Sequence, residues 1–261
     1  MVLDGQKIAQ TIHRRLKSEI AKQKLQPSLV ILLIGRDPAS LIYVKLKQKA
    51  AERIGIKFKK YVFPTKVSQK KVLKIIQQLN KNENIDGLIV QMPLPQHLNP
   101  KIIVKTILPE KDVDGFRDQS KFISPTHQAI LRLLKAAKQN LKNKKALILA
   151  KNPVFANPLI KLLAKQNIKS SWKVRPPKDC KADILITALG KAKIIKPEMV
   201  KKNSIIIDVG YSRFKGKAAG DVDPRVEQKK VYLSPVPGGV GPLTVAYLLR
   251  NVYLAAKKAK K

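Results

Sequence analysis

Leu29-Val30-Ile31-Leu32-Leu33-Ile34 is the stretch on which the fold turns. Six apolar residues in a row, β-branched at positions 30, 31 and 34, read as a strand buried on both faces. The run is far too short to span a bilayer. Similar runs predict strands at 57–62, 86–90, 146–150, 169–174, 183–187 and 204–208. Stretches of helical period predict helices at 5–22, 41–54, 68–82, 127–139, 154–166, 197–201 and 243–257. Strands alternating with helices are the signature of parallel α/β architecture. In the second helix Ile42, Leu46, Ala50 and Ile54 recur every four residues, which predicts a stripe facing a core, with Ser40 as the helix cap.

The periodic pattern breaks at 117–126, where Asp114-Gly115 and Arg117-Asp118-Gln119-Ser120 precede a new helix near Pro125-Thr126. The expected organisation is therefore a two-lobed α/β protein: residues 1–120, then 121–242, with a last helix at 243–261 returning to the first lobe. A cleft between lobes is the usual ligand site in such a protein. No internal repeat or low-complexity linker appears, apart from the lysine-rich tail at 257–261.

The 261 residues, 44% of them hydrophobic, suffice for a substantial core and exclude a disordered chain. No apolar stretch near Met1 resembles a signal peptide, so the expected compartment is the cytoplasm and no membrane partner is expected. One cysteine, Cys180, and three scattered histidines, His13, His97 and His127, give no disulfide and no metal site. The formal charge of +37 invites a nucleic-acid reading. Against it, the charge is nearly all lysine spread along the whole chain, as at Lys70-Lys71, Lys144-Lys145, Lys201-Lys202 and Lys229-Lys230, and aromatic residues make up only 5%. A solvated surface that steers anionic ligands accounts for it better.

Three segments carry side chains suited to chemistry. Tyr43 and Lys47, four apart on one helix, share a face beyond the carboxyl end of a strand. A phenol beside an ammonium can act as an acid/base pair near neutrality, or the lysine can be an ordinary solvated one. Gln91 ends the buried strand Asp86-Gly87-Leu88-Ile89-Val90 before Met92-Pro93-Leu94-Pro95. Its amide suits a heterocycle edge, and equally a cap in a proline-rich turn. Asp112 and Asp114 flank Val113 ahead of Gly115, and point the same way only if the segment is extended. A carboxylate can pair with an amidine-like N–C–N edge such as a pterin carries, or the Asp-Gly pair can simply form a turn.

The motifs converge. Leu3-Asp4-Gly5, Gly35 with Asp37-Pro38-Ala39-Ser40 and Tyr43-Val44, Val90-Gln91-Met92-Pro93-Leu94-Pro95, Lys111-Asp112-Val113-Asp114-Gly115-Phe116, Asp208-Val209-Gly210, Gly220-Asp221-Val222, and Pro235-Val236-Pro237-Gly238-Gly239-Val240-Gly241-Pro242 with Thr244-Val245 run in order along nearly the whole chain. Together they resemble the methylenetetrahydrofolate dehydrogenase/cyclohydrolase family. The resemblance implies a folate-binding catalytic lobe, a Rossmann-type NAD(P)-binding second lobe, and a homodimer. It implies oxidation of 5,10-methylenetetrahydrofolate with NADP and hydrolysis of the methenyl product to 10-formyltetrahydrofolate. By the same resemblance Lys47 is the central residue of hydrolysis, Tyr43 and Gln91 position it and the folate, Asp114 holds the pterin, and Pro93, Gly238 and Gly239 line the substrate site. The lysine-rich surface would favour polyglutamylated tetrahydrofolates.

The sequence departs from the family pattern in the second lobe. Ala150 and Ala156 stand where the family has the glycines of its phosphate loop, and Lys151, Asn152, Pro153 and Asn157 replace other loop residues. Glycine there allows close approach to a pyrophosphate, and alanine would oppose a positive φ. Pro153 suits a first helical turn whose free N–H groups can meet a phosphate, and Lys151 adds charge. Pro125-Thr126-His127-Gln128-Ala129 replaces a Thr-Pro-x-Gly turn. Near the next strand, Lys173 and Arg175 without an acidic partner suit the 2′-phosphate of NADP over NAD. The alternatives are a cyclohydrolase with weakened or lost dehydrogenase activity and, from another class, a basic nucleic-acid-binding protein on an enzyme scaffold.

Overall fold

Helix α1 (Gly5–Lys22) leads into strand β1 (Ser28–Ile34), and α2 (Pro38–Arg53), β2 (Lys57–Phe63), α3 (Gln69–Lys81), β3 (Gly87–Val90) and α4 (Pro100–Thr106) follow. Then come α5 (Pro125–Ala136), β4 (Lys145–Ala150), α6 (Pro153–Ala164), β5 (Lys169–Lys173), β6 (Ile184–Ala188), β7 (Ile205–Asp208), β8 (Ser212–Phe214), β9 (Lys217–Ala219), β10 (Tyr232–Leu233) and α7 (Val240–Ala259). The structure is a computed structural model describing residues 1–117 and 119–259. Asp118 of the predicted boundary and Lys260-Lys261 of the lysine-rich tail lie outside the described residues.

The chain forms two compact units, one of residues 9–125 with the chain from Val245, the other of Met1–Ile8 with Thr126–Thr244. In the first, β1 is the middle of a parallel sheet ordered β2-β1-β3. Leu29, Ile31 and Leu33 face a core with Val44, Ala51, Val113, Leu248 and Val252, while Val30, Leu32 and Ile34 face another with Val72, Ile76 and Ile103. The continuous apolar run thus reflects burial on both sides of the pleat. Helix α7 belongs to this unit from Val245 on, and buried Asn251 donates through Nδ2 to the carbonyls of Val113 (2.9 Å) and Ile123 (3.1 Å).

In the second unit a five-stranded parallel sheet runs β10-β7-β6-β4-β5, and β8 and β9 form a separate antiparallel hairpin. Met1–Ile8 join it because Val2 bridges to Leu233, the Leu3 N–H donates to Leu233 O, and the terminal ammonium donates to Val231 O. Gly5 belongs to the same brace: a Cβ there would collide with the Gly239 carbonyl, while the Gln6 N–H donates to Gly238 O at 2.9 Å.

The structure corrects four local expectations. Ile42 and Leu46 are 40% and 50% exposed, and the buried face of α2 carries Ser40, Val44, Lys47 and Ala51, a rotation that puts a lysine inside. Asp37, not Ser40, caps α2: its carboxylate accepts the Ser40 N–H at 2.7 Å, and Pro38 opens the first turn. The helix expected at 197–201 is one 3₁₀ turn, Pro197–Met199. Helix α4, the β8–β9 hairpin and β10 are additional, each too short for periodicity to register.

Lys111 shows how a charge can serve the fold. Its buried ammonium donates to the carbonyls of Leu79 (3.2 Å), Asn80 (2.7 Å) and Asn82 (2.7 Å), capping the carboxyl end of α3. Burial holds its pKa below the ordinary lysine value, opposed by the charges of Asp86, Glu110 and Glu83. Lys111→Met leaves those carbonyls without their donor and should lower the urea-derived unfolding free energy by about 2 kcal/mol. An unchanged midpoint and slope would show that the cap contributes nothing.

Candidate functional site

Lys47 emerges from the buried face of α2 and is only 8% exposed. Its Nζ donates to Gln91 Oε1 at 3.0 Å. Gln91 follows β3, whose ladder it prolongs by donating its N–H to Leu32 O, and its Nε2 donates to the Met92 carbonyl at 2.8 Å. Ser40 Oγ donates to that carbonyl at 3.4 Å. Because the amide nitrogen is thus committed, the oxygen is the end that meets the lysine. Pro93 follows through a cis Met92-Pro93 bond, and Tyr43 lies half-buried one turn before Lys47.

The two carboxylates after α4 do different work. Asp112 is buried, and its Oδ1 accepts the N–H groups of Gly115 (3.1 Å) and Phe116 (3.4 Å) while Oδ2 accepts that of Arg117 (2.9 Å). Gly115 has φ +66°, and a Cβ there would lie 2.7 Å from the Phe122 carbonyl oxygen. The segment is a turn, so the two aspartates are not an extended pair. Asp114 is half-buried and is the charge partner of Lys47. Burial lowers the pKa of Lys47 against the opposing charge of Asp114. Burial raises the pKa of Asp114 against the charge of Lys47, and Asp112 adds to the rise. Burial is the larger of the two effects on the amine. The first lobe thus brings together a desolvated amine, an amide oxygen and a carboxylate, a set able to move a proton and hold a polar heterocycle.

In the second lobe, Ala150 ends β4 and Asn152 caps α6, accepting the Phe155 N–H at 3.3 Å. No residue from 150 to 157 has a positive φ, so alanine costs no backbone strain here. Ala150 and Ala156 are 1% and 0% exposed, so their methyl groups pack inside the lobe rather than standing out where a ligand would approach. Lys151, Asn152 and Asn157 are exposed, as are Lys173 and Arg175 at and beyond the end of β5. Two residues not singled out in sequence brace this loop. Trp172 Nε1 donates to Ala150 O at 2.9 Å, and the buried His127 places Nε2 3.0 Å from Phe155 O with its ring tilted against the Phe155 ring. A tryptophan on an edge strand and a histidine on an apolar helix face carry no motif, so only the fold could reveal them. The Gly238-Gly239 turn is held by its own Gly239 N–H to Pro235 O bond, 2.7 Å, and by Gln6.

The second lobe also holds an open cavity of about 600 Å³ beneath the hairpin, lined by Asp208, Phe214, Lys215, Ser234 and Val236 among others. None of the sequence-predicted site residues lines it. Among the described residues no group of three His, Cys, Asp or Glu side chains gathers as a metal site, and no helix is long and apolar enough to cross a membrane.

Known proteins give this geometry a context. Residues 3–114 match the family model for the tetrahydrofolate dehydrogenase/cyclohydrolase catalytic domain, and residues 124–260 match its NAD(P)-binding domain. The bifunctional protein FolD of Aquifex aeolicus is 40% identical over 278 aligned residues, which cover 99% of this chain and 96% of that protein. The crystal structure of the bifunctional FolD methylenetetrahydrofolate dehydrogenase/cyclohydrolase from Campylobacter jejuni superposes with a TM-score of 0.92 at 34% identity, covering 99% of each chain. That of the Trypanosoma brucei enzyme, complexed with NADP and an inhibitor, gives 0.92 at 28% identity, covering 100% of this chain and 98% of that one.

His127 makes the loop brace testable by pH. Burial brings its pKa from 6.5 down to about 4, opposed by the bond to Phe155 O. The unfolded chain therefore takes up a proton at this site below pH 6.5 that the folded chain refuses until about pH 4. The stability this neutral imidazole contributes is present above pH 6.5 and is lost as pH falls toward 4. His127→Gln should flatten the fall of the urea midpoint across that window, and an identical profile would rule the contribution out.

Proposed function

Since the chain belongs to the tetrahydrofolate dehydrogenase/cyclohydrolase family, we propose that the Lys47, Gln91 and Asp114 cluster, with Tyr43, is its folate-side active site. The enzyme oxidises 5,10-methylenetetrahydrofolate to the methenyl form and hydrolyses that to 10-formyltetrahydrofolate. One observation carries the assignment of residues: a lysine almost removed from water, hydrogen-bonded to an oriented amide and charge-paired to a single carboxylate. Burial lowers the pKa of its amine against the opposing charge of Asp114. In hydrolysis, water adds to the methenyl carbon and gives one proton to Lys47; the hydroxyl proton of the resulting carbinolamine then passes to N5 as the bond from that carbon to N5 breaks and the formyl C=O forms. Gln91 holds the ammonium that results, and Asp114 accepts from the pterin N–C–N edge. Tyr43 and Pro93 flank the substrate.

The second lobe is an NAD(P)-binding domain, and its residues fit a dinucleotide. The Ala150 and Ala156 methyl groups point inward, the first turn of α6 follows an Asn152 cap, and Lys151, Asn157, Lys173 and Arg175 supply polar and cationic groups nearby. NADP is the cofactor we assign, because the lysine and arginine at the end of β5 suit a 2′-phosphate and no carboxylate there suits a free ribose. When bound it supplies the hydride acceptor. A cytoplasmic homodimer acting on polyglutamylated folates completes the proposal, the lysine-rich surface attracting the polyanionic tail.

Lys47→Met keeps an apolar stem in a buried site while deleting the amine. Methenyltetrahydrofolate hydrolysis should fall by about a thousandfold. NADP-dependent oxidation of the methylene substrate should fall less, because hydride transfer depends chiefly on holding two ligands in register. Hydrolysis at the parent rate would sink the assignment of Lys47. Titration of the parent protein with NADP and NAD tests the cofactor separately. Saturation by NADP at micromolar levels is expected, and failure to bind either would mean that the second lobe has lost its dinucleotide.

A further inference from the structure

Two carboxylates sit at the centre of the second lobe without a place in the chemistry above. Asp221 is 0% and Asp208 3% exposed. Asp221 Oδ2 accepts from Thr187 Oγ1 at 2.7 Å and from the Leu189 N–H at 2.6 Å, and Oδ1 accepts the Lys191 N–H at 2.7 Å. Asp208 Oδ1 accepts the N–H groups of Gly210 (2.9 Å) and Asp221 (3.1 Å), and Oδ2 accepts that of Val222 (2.9 Å). Asp208 therefore fixes the backbone that carries Asp221, while Asp221 fixes the chain that follows β6. The neighbouring glycines are part of the device, since a Cβ on Gly210 would collide with the Asp221 carboxylate and one on Gly220 with that of Asp208.

What Asp221 holds is the turn at the carboxyl end of β6, Ala188-Leu189-Gly190-Lys191. In the strand order β10-β7-β6-β4-β5 the chain passes outward from β4 to β5 and then returns to β6 on the other side. The carboxyl ends of β4 and β6 therefore flank the switch point, where open α/β sheets take their ligands. With the amides of Leu189 and Lys191 turned to the carboxylate, Gly190 at φ +63° presents its open face to Lys151: a Cβ there would lie 3.5 Å from Lys151 Nζ.

We propose that Asp221 is the positioning residue of dinucleotide binding: its carboxylate sets the Ala188–Lys191 turn so that Gly190 and the Lys151 ammonium frame the crevice between β4 and β6. Asp208 keeps Asp221 in place. The role rests on the second lobe binding a dinucleotide. It does not involve the folate-side cluster, which lies in the other unit. In a chain whose β4 loop has exchanged glycine for alanine, the turn after β6 becomes the glycine-bearing wall of the site.

Asp221→Asn keeps the shape but opposes an amide NH₂ to groups that are already donors. Three quantities decide the matter: NADP affinity by titration, methenyltetrahydrofolate hydrolysis, and thermal unfolding. The expected result is a dissociation constant for NADP raised about tenfold to a hundredfold, with hydrolysis and folate KM at parent values. The KM for NADP in the dehydrogenase assay should rise while kcat at saturation is largely kept, a split that general loosening of the lobe would not give. Thr187→Val removes one of the three donors and leaves the carboxylate, so a smaller rise of several-fold is expected. If Asp221→Asn does not fold, Thr187→Val decides. NADP affinity unchanged in a folded Asp221→Asn, or in Thr187→Val when the first variant fails, overturns the proposal. So does a loss of hydrolysis and NADP binding together. If the parent protein binds neither NADP nor NAD, it is the dinucleotide reading of the lobe that fails first, and this role falls with it.

Discussion

The desolvated ammonium of Lys47 constrains much of the first lobe. A lysine in that position costs free energy unless its surroundings answer its charge, and they do so with the Gln91 oxygen and the Asp114 carboxylate. Satisfying it fixes much else. Gln91 must be anchored through Met92, α2 must turn its buried face so that Val44, Lys47 and Ala51 point inward, and Ile42 and Leu46 are left toward solvent as a consequence. The turn after α4 must then deliver Asp114 rather than Asp112 to the lysine. The helix rotation that looks wrong by hydrophobicity is right by electrostatics.

The acidic residues tell a related story. The chain has 17 of them against 54 lysines and arginines, and besides ion pairs such as Lys201–Asp183 its carboxylates serve the backbone. Asp37, Asp112, Asp208 and Asp221 all accept backbone N–H groups, organising a helix start or a turn close to a functional segment. Hydrogen bonds between a carboxylate and buried amides resist salt and water better than exposed pairs do. The positive charge is carried by exposed lysines that set the surrounding potential, and the local architecture is carried by the few acids. Asp208 shows the cost of the arrangement: desolvation and the nearby charge of Asp221 raise its pKa to about 7, against the pull of three backbone N–H bonds.

The altered loop after β4 illustrates how a motif can be lost while its surroundings adapt. Glycine is required where a backbone must take positive φ or be approached closely, and here the loop asks for no positive φ. The Ala150 and Ala156 side chains are absorbed into the packing, with Trp172 and His127 holding neighbouring carbonyls. Loss of the glycine signature therefore costs this loop no backbone strain.

The sequence by itself determined the α/β class, the two lobes, nearly all of the long helices and buried strands, and the residue types of the Lys47, Gln91 and Asp114 cluster. Those features depend on periodicity along the chain and on rare residues at fixed spacing, both of which are local and survive being read in one dimension. Only the tertiary structure decided which face of α2 is buried, that Val2 bridges to β10, that Asp112 and Asp114 part company, and that Asp221 reaches back across thirty positions to the turn after β6. Each of these turns on which donor meets which acceptor once distant segments are packed, and on how much water remains beside a charge. Neither quantity exists until the chain has folded.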